Sequence, residues 1–181
     1  MHDERGIKMI KKFCHSVDLL NEWTGRIAGW LVIPLCLLVT YDVGLRYIFN
    51  RPTVWAWDVN VQFLGAMVAL GGGYTLLYNG HIGVDVLVAN LPIKKKAVIE
   101  LITSFFFFLG VIVLVWLSIV QARISVKTRE VDFTYFAPPV YPLKVVIAVG
   151  FFLLFLQGIV KLIRDLTLVL SKGERKVTDE Y

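Results

Sequence analysis

The chain has 181 residues, 57% of them hydrophobic, a net charge of +5 and a mean hydropathy of +0.68, and its apolar residues cluster in runs that leave too little polar sequence for a soluble catalytic domain. The basic excess collects at the borders of those runs, where anionic lipid head groups lie, and no RNA- or DNA-binding motif accompanies it, so a nucleic-acid role is excluded. The two cysteines, Cys14 and Cys36, form neither a disulfide framework nor a CxxC or zinc pattern.

Taken in chain order, the first 26 residues are mixed and charged and lack the pattern of a cleaved signal peptide, so none is expected. Within them Ile7, Ile10, Phe13, Cys14, Val17 and Leu20 recur at helical spacing, opposite Lys8, Lys11, Lys12 and His15. That pattern predicts a helix over 7–22 lying in the membrane interface, with a cytoplasmic extension of the first span as the alternative. A first span is predicted over 25–49: Ile27–Tyr41 is free of charge, and only Asp42 and Arg46 interrupt its continuation to Phe49. Pro34 is a helix breaker inside it, and a kink is expected there. Asp42 and Arg46, four apart, share a helix face and predict a structural ion pair or a pairing with another subunit rather than transport chemistry.

The connection 50–58 carries Pro52, Trp55, Trp57 and Asp58, and its indoles predict a segment skimming the outer surface. The second span, 59–80, sits in the charge-free run Val59–Val84 and places Gly65, Ala69 and Gly73 along one face. Small residues so spaced let another backbone approach closely, either within this chain's own bundle or on a partner. An inner surface-lying segment is predicted over 81–96, with His81 and Asp85 four apart and Lys94, Lys95 and Lys96 at its end. Two such groups are too few for a stable metal site. With only His2, His15 and His81 in the chain, bis-histidine haem ligation is excluded for this chain alone.

The third span, 98–122, contains the charge-free run Leu101–Ala122 and the bulky Phe105–Phe108, which predict a lipid-facing or large apolar surface. A loop over 123–140 follows, its Tyr135, Phe136, Pro138 and Pro139 suggesting a stiff aromatic rim. The fourth span, 141–164, holds the charge-free Val145–Val160 between Lys144 and Lys161. The charged residues of 172–181 predict a flexible tail. A bilayer core of about 30 Å needs roughly 20 residues at ~1.5 Å each, which these runs meet once their flanks are counted. Continuous runs without period-2 alternation favour helices over barrel strands. The predicted fold is therefore an all-α membrane protein of four transmembrane helices with interfacial amphipathic helices.

Basic residues orient it. Arg5, Lys8, Lys11, Lys12 and Arg26, the three lysines at 94–96, and Lys161, Arg164, Lys172, Arg175 and Lys176 put thirteen of 19 on one side. Because positive loops stay cytoplasmic, both termini are expected inside. No nucleophile–base set stands anywhere in the chain, so no catalytic, substrate-binding, metal or cofactor residue is assigned. Inverted repeats and broken midplane helices, the marks of a transport core, are not visible either.

Arg46-Tyr47-Ile48-Phe49-Asn50, then Trp57-Asp58, then Gly80-His81-Ile82-Gly83-Val84-Asp85, in this order and at these span ends, resemble the small membrane subunit of tripartite ATP-independent periplasmic (TRAP) transporters. The resemblance covers about residues 20–165. Asp58 stands where that family more often has Glu, and Gly83 where it often carries a bulkier or basic residue. The resemblance implies a bacterial or archaeal inner-membrane protein with two partners: a periplasmic substrate-binding protein that delivers an organic acid, and a large multi-span subunit that imports it with sodium. This chain would then be the non-catalytic scaffold, with Asp42, Arg46, Trp55, Trp57, Asp58, His81 and Asp85 at partner or phospholipid interfaces. Two competing readings are a self-contained homo-oligomeric transporter or channel, motivated by the small-residue stripe, and a membrane enzyme or electron-transfer anchor, for which ligands and nucleophiles are missing.

Overall fold

A computed structural model describes residues 2–78 and 93–178. They form five helices in chain order: α1 (His2–Trp30), α2 (Val32–Ile48), α3 (Ala56–Leu77), α4 (Ile93–Thr128) and α5 (Tyr141–Thr178). Four stretches are long and apolar enough to cross a membrane: Lys8–Ile48, Ala56–Leu77, Thr103–Thr128 and Tyr141–Arg164. The four-span, all-helical architecture read from the sequence is therefore present, and among the described residues the only β-type pairing is a bridge between Val131 and Pro139.

The first of these stretches is α1 and α2 in succession, interrupted at Leu31. Pro34 is the cause: without an N–H it leaves the Trp30 carbonyl without its partner one turn on, and its ring crowds that carbonyl. Leu31 keeps helical dihedrals and donates to both Ile27 and Ala28 at 3.2 Å, so the helical path carries on through the interruption. The segment 7–22, read as a separate surface helix, is continuous with the residues that enter the span, as in the alternative weighed in the sequence. Part of its apolar face is used inside the molecule, because Cys14 and Val17 are buried against Val160, with Leu156 and Ile163 alongside.

Helix ends also differ from expectation, for local reasons. α4 runs six residues into the expected 123–140 loop and stops where Arg129 turns left-handed (φ 46°). There Glu130 N–H donates to the Ser125 carbonyl at 3.1 Å and Arg129 N–H to Val126 at 3.4 Å, which satisfies the last carbonyls in a Schellman motif. α2, by contrast, ends within one residue of the expected 49, where Asn50 (φ 53°) turns left-handed and Arg51 N–H reaches Leu45 O at 3.1 Å. α5 meets no breaker at Ser171 and stays helical to Thr178, through most of the tail expected to be flexible.

Packing follows from where the chain can bring backbones close. α3 lies against α1, α2 and α5, and α5 also carries α4, so α2, α3, α5 and α4 form an open row with α1 laid across α3 and α5. The stripe of small residues on α3 is spent on these neighbours. A Cβ on Gly150 of α5 would overlap the Ala69 carbonyl, a Cβ on Gly73 would overlap the Asn21 side chain, and Gly65 faces Leu143. The stripe thus serves the chain's own bundle, which removes the observation that motivated a homo-oligomeric channel. Of the four phenylalanines in α4, Phe107 fits over Gly158 and Phe108 stacks edge-on against Phe155 at 6.1 Å, whereas Phe105 and Phe106 face outward. α2 has no buried residue at all.

Candidate partner-interface site

The α2–α3 and α4–α5 connections meet at one end of the bundle, and three polar clasps hold them. In the first, Asp42 accepts hydrogen bonds from the Thr53 amide at 3.3 Å and the Thr53 hydroxyl on one oxygen, and from Arg46 Nη2 at 3.1 Å on the other. The i, i+4 spacing read from the sequence does produce the ion pair. Thr53, eleven residues on, is what completes the carboxylate's shell. Asp42 is thereby committed within the chain, while Arg46, half exposed at 53%, keeps most of its five donors for something outside.

In the second clasp, Asp58 in the first turn of α3 is 5% exposed and accepts the Thr134 hydroxyl at 2.7 Å. One turn later Gln62 Nε2 donates to the Pro139 carbonyl at 3.2 Å. The third joins Glu130 to Lys144 Nζ at 2.5 Å and so pins the loop's base to the start of α5. Between these fixings Asp132 N–H donates to Pro138 O at 2.9 Å and Val140 N–H to Glu130 O at 3.0 Å, giving a short hairpin-like turn. Its tip holds Phe133 and Tyr135 out, both essentially fully exposed.

The tryptophans separate. Trp55 lies beside Tyr41, ring centroids 6.5 Å apart, whereas Trp57 is exposed and unstacked. His81 and Asp85 lie outside the described residues. Of the sequence-level candidates, Arg46 and Trp57 face outward most fully, Trp55 is exposed beside Tyr41, and Asp42 and Asp58 face inward.

A further polar group, missed in the sequence, sits at the opposite half of the bundle. Arg164 donates to Asp18, Gln157 Nε2 donates to the other Asp18 oxygen at 3.0 Å, and Asn21 Nδ2 donates to Gln157 Oε1 at 2.8 Å and to the Val17 carbonyl at 3.0 Å. Asn21 and Gln157 are wholly buried. Gln157 is the one strongly polar residue in the charge-free Val145–Val160 run, and that isolation was the available signal. Its partners lie more than 130 positions away and gave none.

The arrangement can hold helices and present an apolar, aromatic-tipped surface. Most of its buried polar groups pair within the chain, whereas Asn21 Oδ1, Asn60 Oδ1 and Ser125 Oγ have no partner among the described residues.

Residues 35–168 match the family described as tripartite ATP-independent periplasmic transporters, DctQ component. The chain is also 32% identical over 87 residues to the C4-dicarboxylate TRAP transporter small permease protein DctQ of Vibrio cholerae serotype O1. That stretch is 46% of this chain and spans 38% of the Vibrio protein's length.

Proposed function

The chain belongs to the DctQ-component family of TRAP transporters, and on that premise we propose that it is the non-catalytic scaffold subunit of a sodium-coupled organic-acid importer. It works beside a large multi-span subunit that binds and moves the substrate and a periplasmic protein that captures it. The complex sits in a bacterial or archaeal inner membrane, with both termini of this chain cytoplasmic, in keeping with the side that carries thirteen of its 19 basic residues. The name of the Vibrio relative makes C4-dicarboxylates the first substrate class to test.

The observation that carries this reading is the open row of helices in which Asp42, Asp58, Asn21 and Gln157 find their hydrogen-bond partners within the chain itself. A self-sufficient transporter needs a substrate site near the midplane between helices that can rearrange. Here α4 and α2 flank the row without closing on each other, and the exposed circumference is apolar. Such a layer is shaped to be leaned against.

Reconstitution tests it. Proteoliposomes holding the large subunit and this chain, supplied with the binding protein and an inward sodium gradient, should take up labelled dicarboxylate. This chain alone should be silent, and the large subunit alone slow or inactive. Flux through this chain alone, or full-rate uptake without it, would overturn the proposal.

A further inference from the structure

α4 and α5 run antiparallel and pack along a seam that buries Val111, Ser118, Ala122 and Ser125 of α4. Phe107, Phe108, Phe155 and Gly158 close them at one level, and the Glu130–Lys144 pair closes them at the loop end. Between these levels, along one side of the seam, lies a groove of about 230 Å³ lined by Leu114, Leu117, Ser118 and Gln121 from α4 and Lys144, Ile147 and Phe151 from α5. Each set falls on one helix face at i, i+3 and i+7 spacing. Polarity is graded along the groove: Gln121 and Lys144 stand at the loop end, Leu114 and Phe151 at the deep end.

We propose that this groove binds one acyl chain of a glycerophospholipid whose head group carries both a phosphate and a primary ammonium, as in phosphatidylethanolamine. The reading needs only that the chain spans a membrane and is independent of its role in transport. Apolar walls do not hold water stably, and the groove opens on a surface that in a bilayer meets hydrocarbon. Lys144 lies in the first turn of its span, roughly 5 Å from the end at ~1.5 Å per residue, where phosphates are found. Its ammonium has three donors and Glu130 takes one, which leaves two for a phosphate. A purely anionic head group would set its charge against the Glu130 carboxylate. An ammonium on the head group neutralises that carboxylate, so the pair selects a zwitterion. Gln121, one turn below, is placed to donate its amide to an ester carbonyl.

The full chain in nanodiscs of equal phosphatidylethanolamine and phosphatidylglycerol, released into native mass spectrometry, reads the site directly. One retained lipid per chain is expected, with phosphatidylethanolamine enriched about fivefold, the effect of one head-group charge contact. Glu130→Gln should bring the two lipids to parity, and Leu117→Trp should fill the groove and abolish retention without lowering the unfolding temperature. Wild-type protein with no retained lipid, equal retention of both lipids by wild type, or full retention by Leu117→Trp would each overturn the proposal. So would a cross-link from Leu117→Cys to the large subunit in the purified complex.

Discussion

Gln157 of α5 donates to Asp18 of α1 at 3.0 Å, and this one bond fixes the orientation of both buried amides beside it. With Nε2 committed to Asp18, Gln157 can offer only its oxygen to Asn21, so Asn21 must turn its nitrogen toward Gln157 and the Val17 carbonyl. Asn21 Oδ1 is then left over Gly73, without a partner among the described residues. A carboxylate near the surface thus dictates the packing of three helices.

Gln157→Leu should therefore cost more than its own hydrogen bonds. It leaves Asn21 Nδ2 with only the Val17 carbonyl as acceptor, and an unsatisfied buried N–H costs about 1–3 kcal/mol. The double substitution Asn21→Leu with Gln157→Leu should recover much of that loss, because both partners are then apolar. Thermal unfolding of the two single variants and the double in the same detergent gives the coupling. Additive losses would show that the two amides do not act as a unit.

The glycines of the bundle should divide by what stands opposite them. Gly150→Ala drives a methyl into the Ala69 carbonyl, a backbone group that cannot swing aside, and should cost about 1–3 kcal/mol. Gly71, also in α3, faces open space, and Gly71→Ala should be neutral or stabilising by up to about 1 kcal/mol through helix propensity. Equal effects at the two positions would refute the close approach of α3 to α5.

The loop-end clasp gives a pH dependence. The Lys144 ammonium hydrogen-bonded to Glu130 holds that carboxyl below its ordinary value of 4.5. Because the folded value is the lower one, the unfolded chain takes up the proton first as the pH falls. The contribution is thus fully present above about 4.5 and is lost as pH drops through the folded value. Glu130→Gln should be less stable than wild type at pH 7, and the gap should close on titrating to about pH 3. A gap that stays constant with pH would rule out the ion pair as its source.

How far the sequence disclosed these features depends on how far apart the partners lie. Span number and helical class come from runs of neighbouring residues, and Asp42 with Arg46 from spacing within one helix, so both were legible. The Asp58–Thr134 and Asp18–Gln157 contacts join residues 76 and 139 positions apart, and no local pattern encodes such pairs. The small-residue stripe was legible as a packing face but not as to its partner, which only the register of α3 on α5 and α1 decides. The end of α4 escaped notice because its stop signal was not a glycine: Arg129 adopts left-handed backbone that non-glycine residues seldom use.

The motif at the loop end is best tested by the division that burial makes within it. Asp42 and Asp58 spend their carboxylates on Thr53 and Thr134. Asp42→Ala and Asp58→Ala should therefore lower the stability of the isolated chain, the buried Asp58 by roughly 1.5–3 kcal/mol for a hydrogen-bonded charge. Arg46 and Trp57 present exposed surface next to them. Trp57→Ala should leave the isolated chain within about 0.5 kcal/mol of wild type, and Arg46→Gln, which gives up one exposed ion pair, within about 1 kcal/mol. If the proposed scaffold role is right, the same two substitutions should reduce the amount of large subunit that co-purifies in mild detergent. Thermal unfolding of the chain and co-purification of the complex, measured on all four variants, separate the two classes. A drop in co-purification for the aspartate variants alone, tracking their loss of stability, would mean that the motif serves only the fold. Loss with Arg46→Gln and Trp57→Ala at unchanged stability would locate the partner surface on the outward side of the clasp.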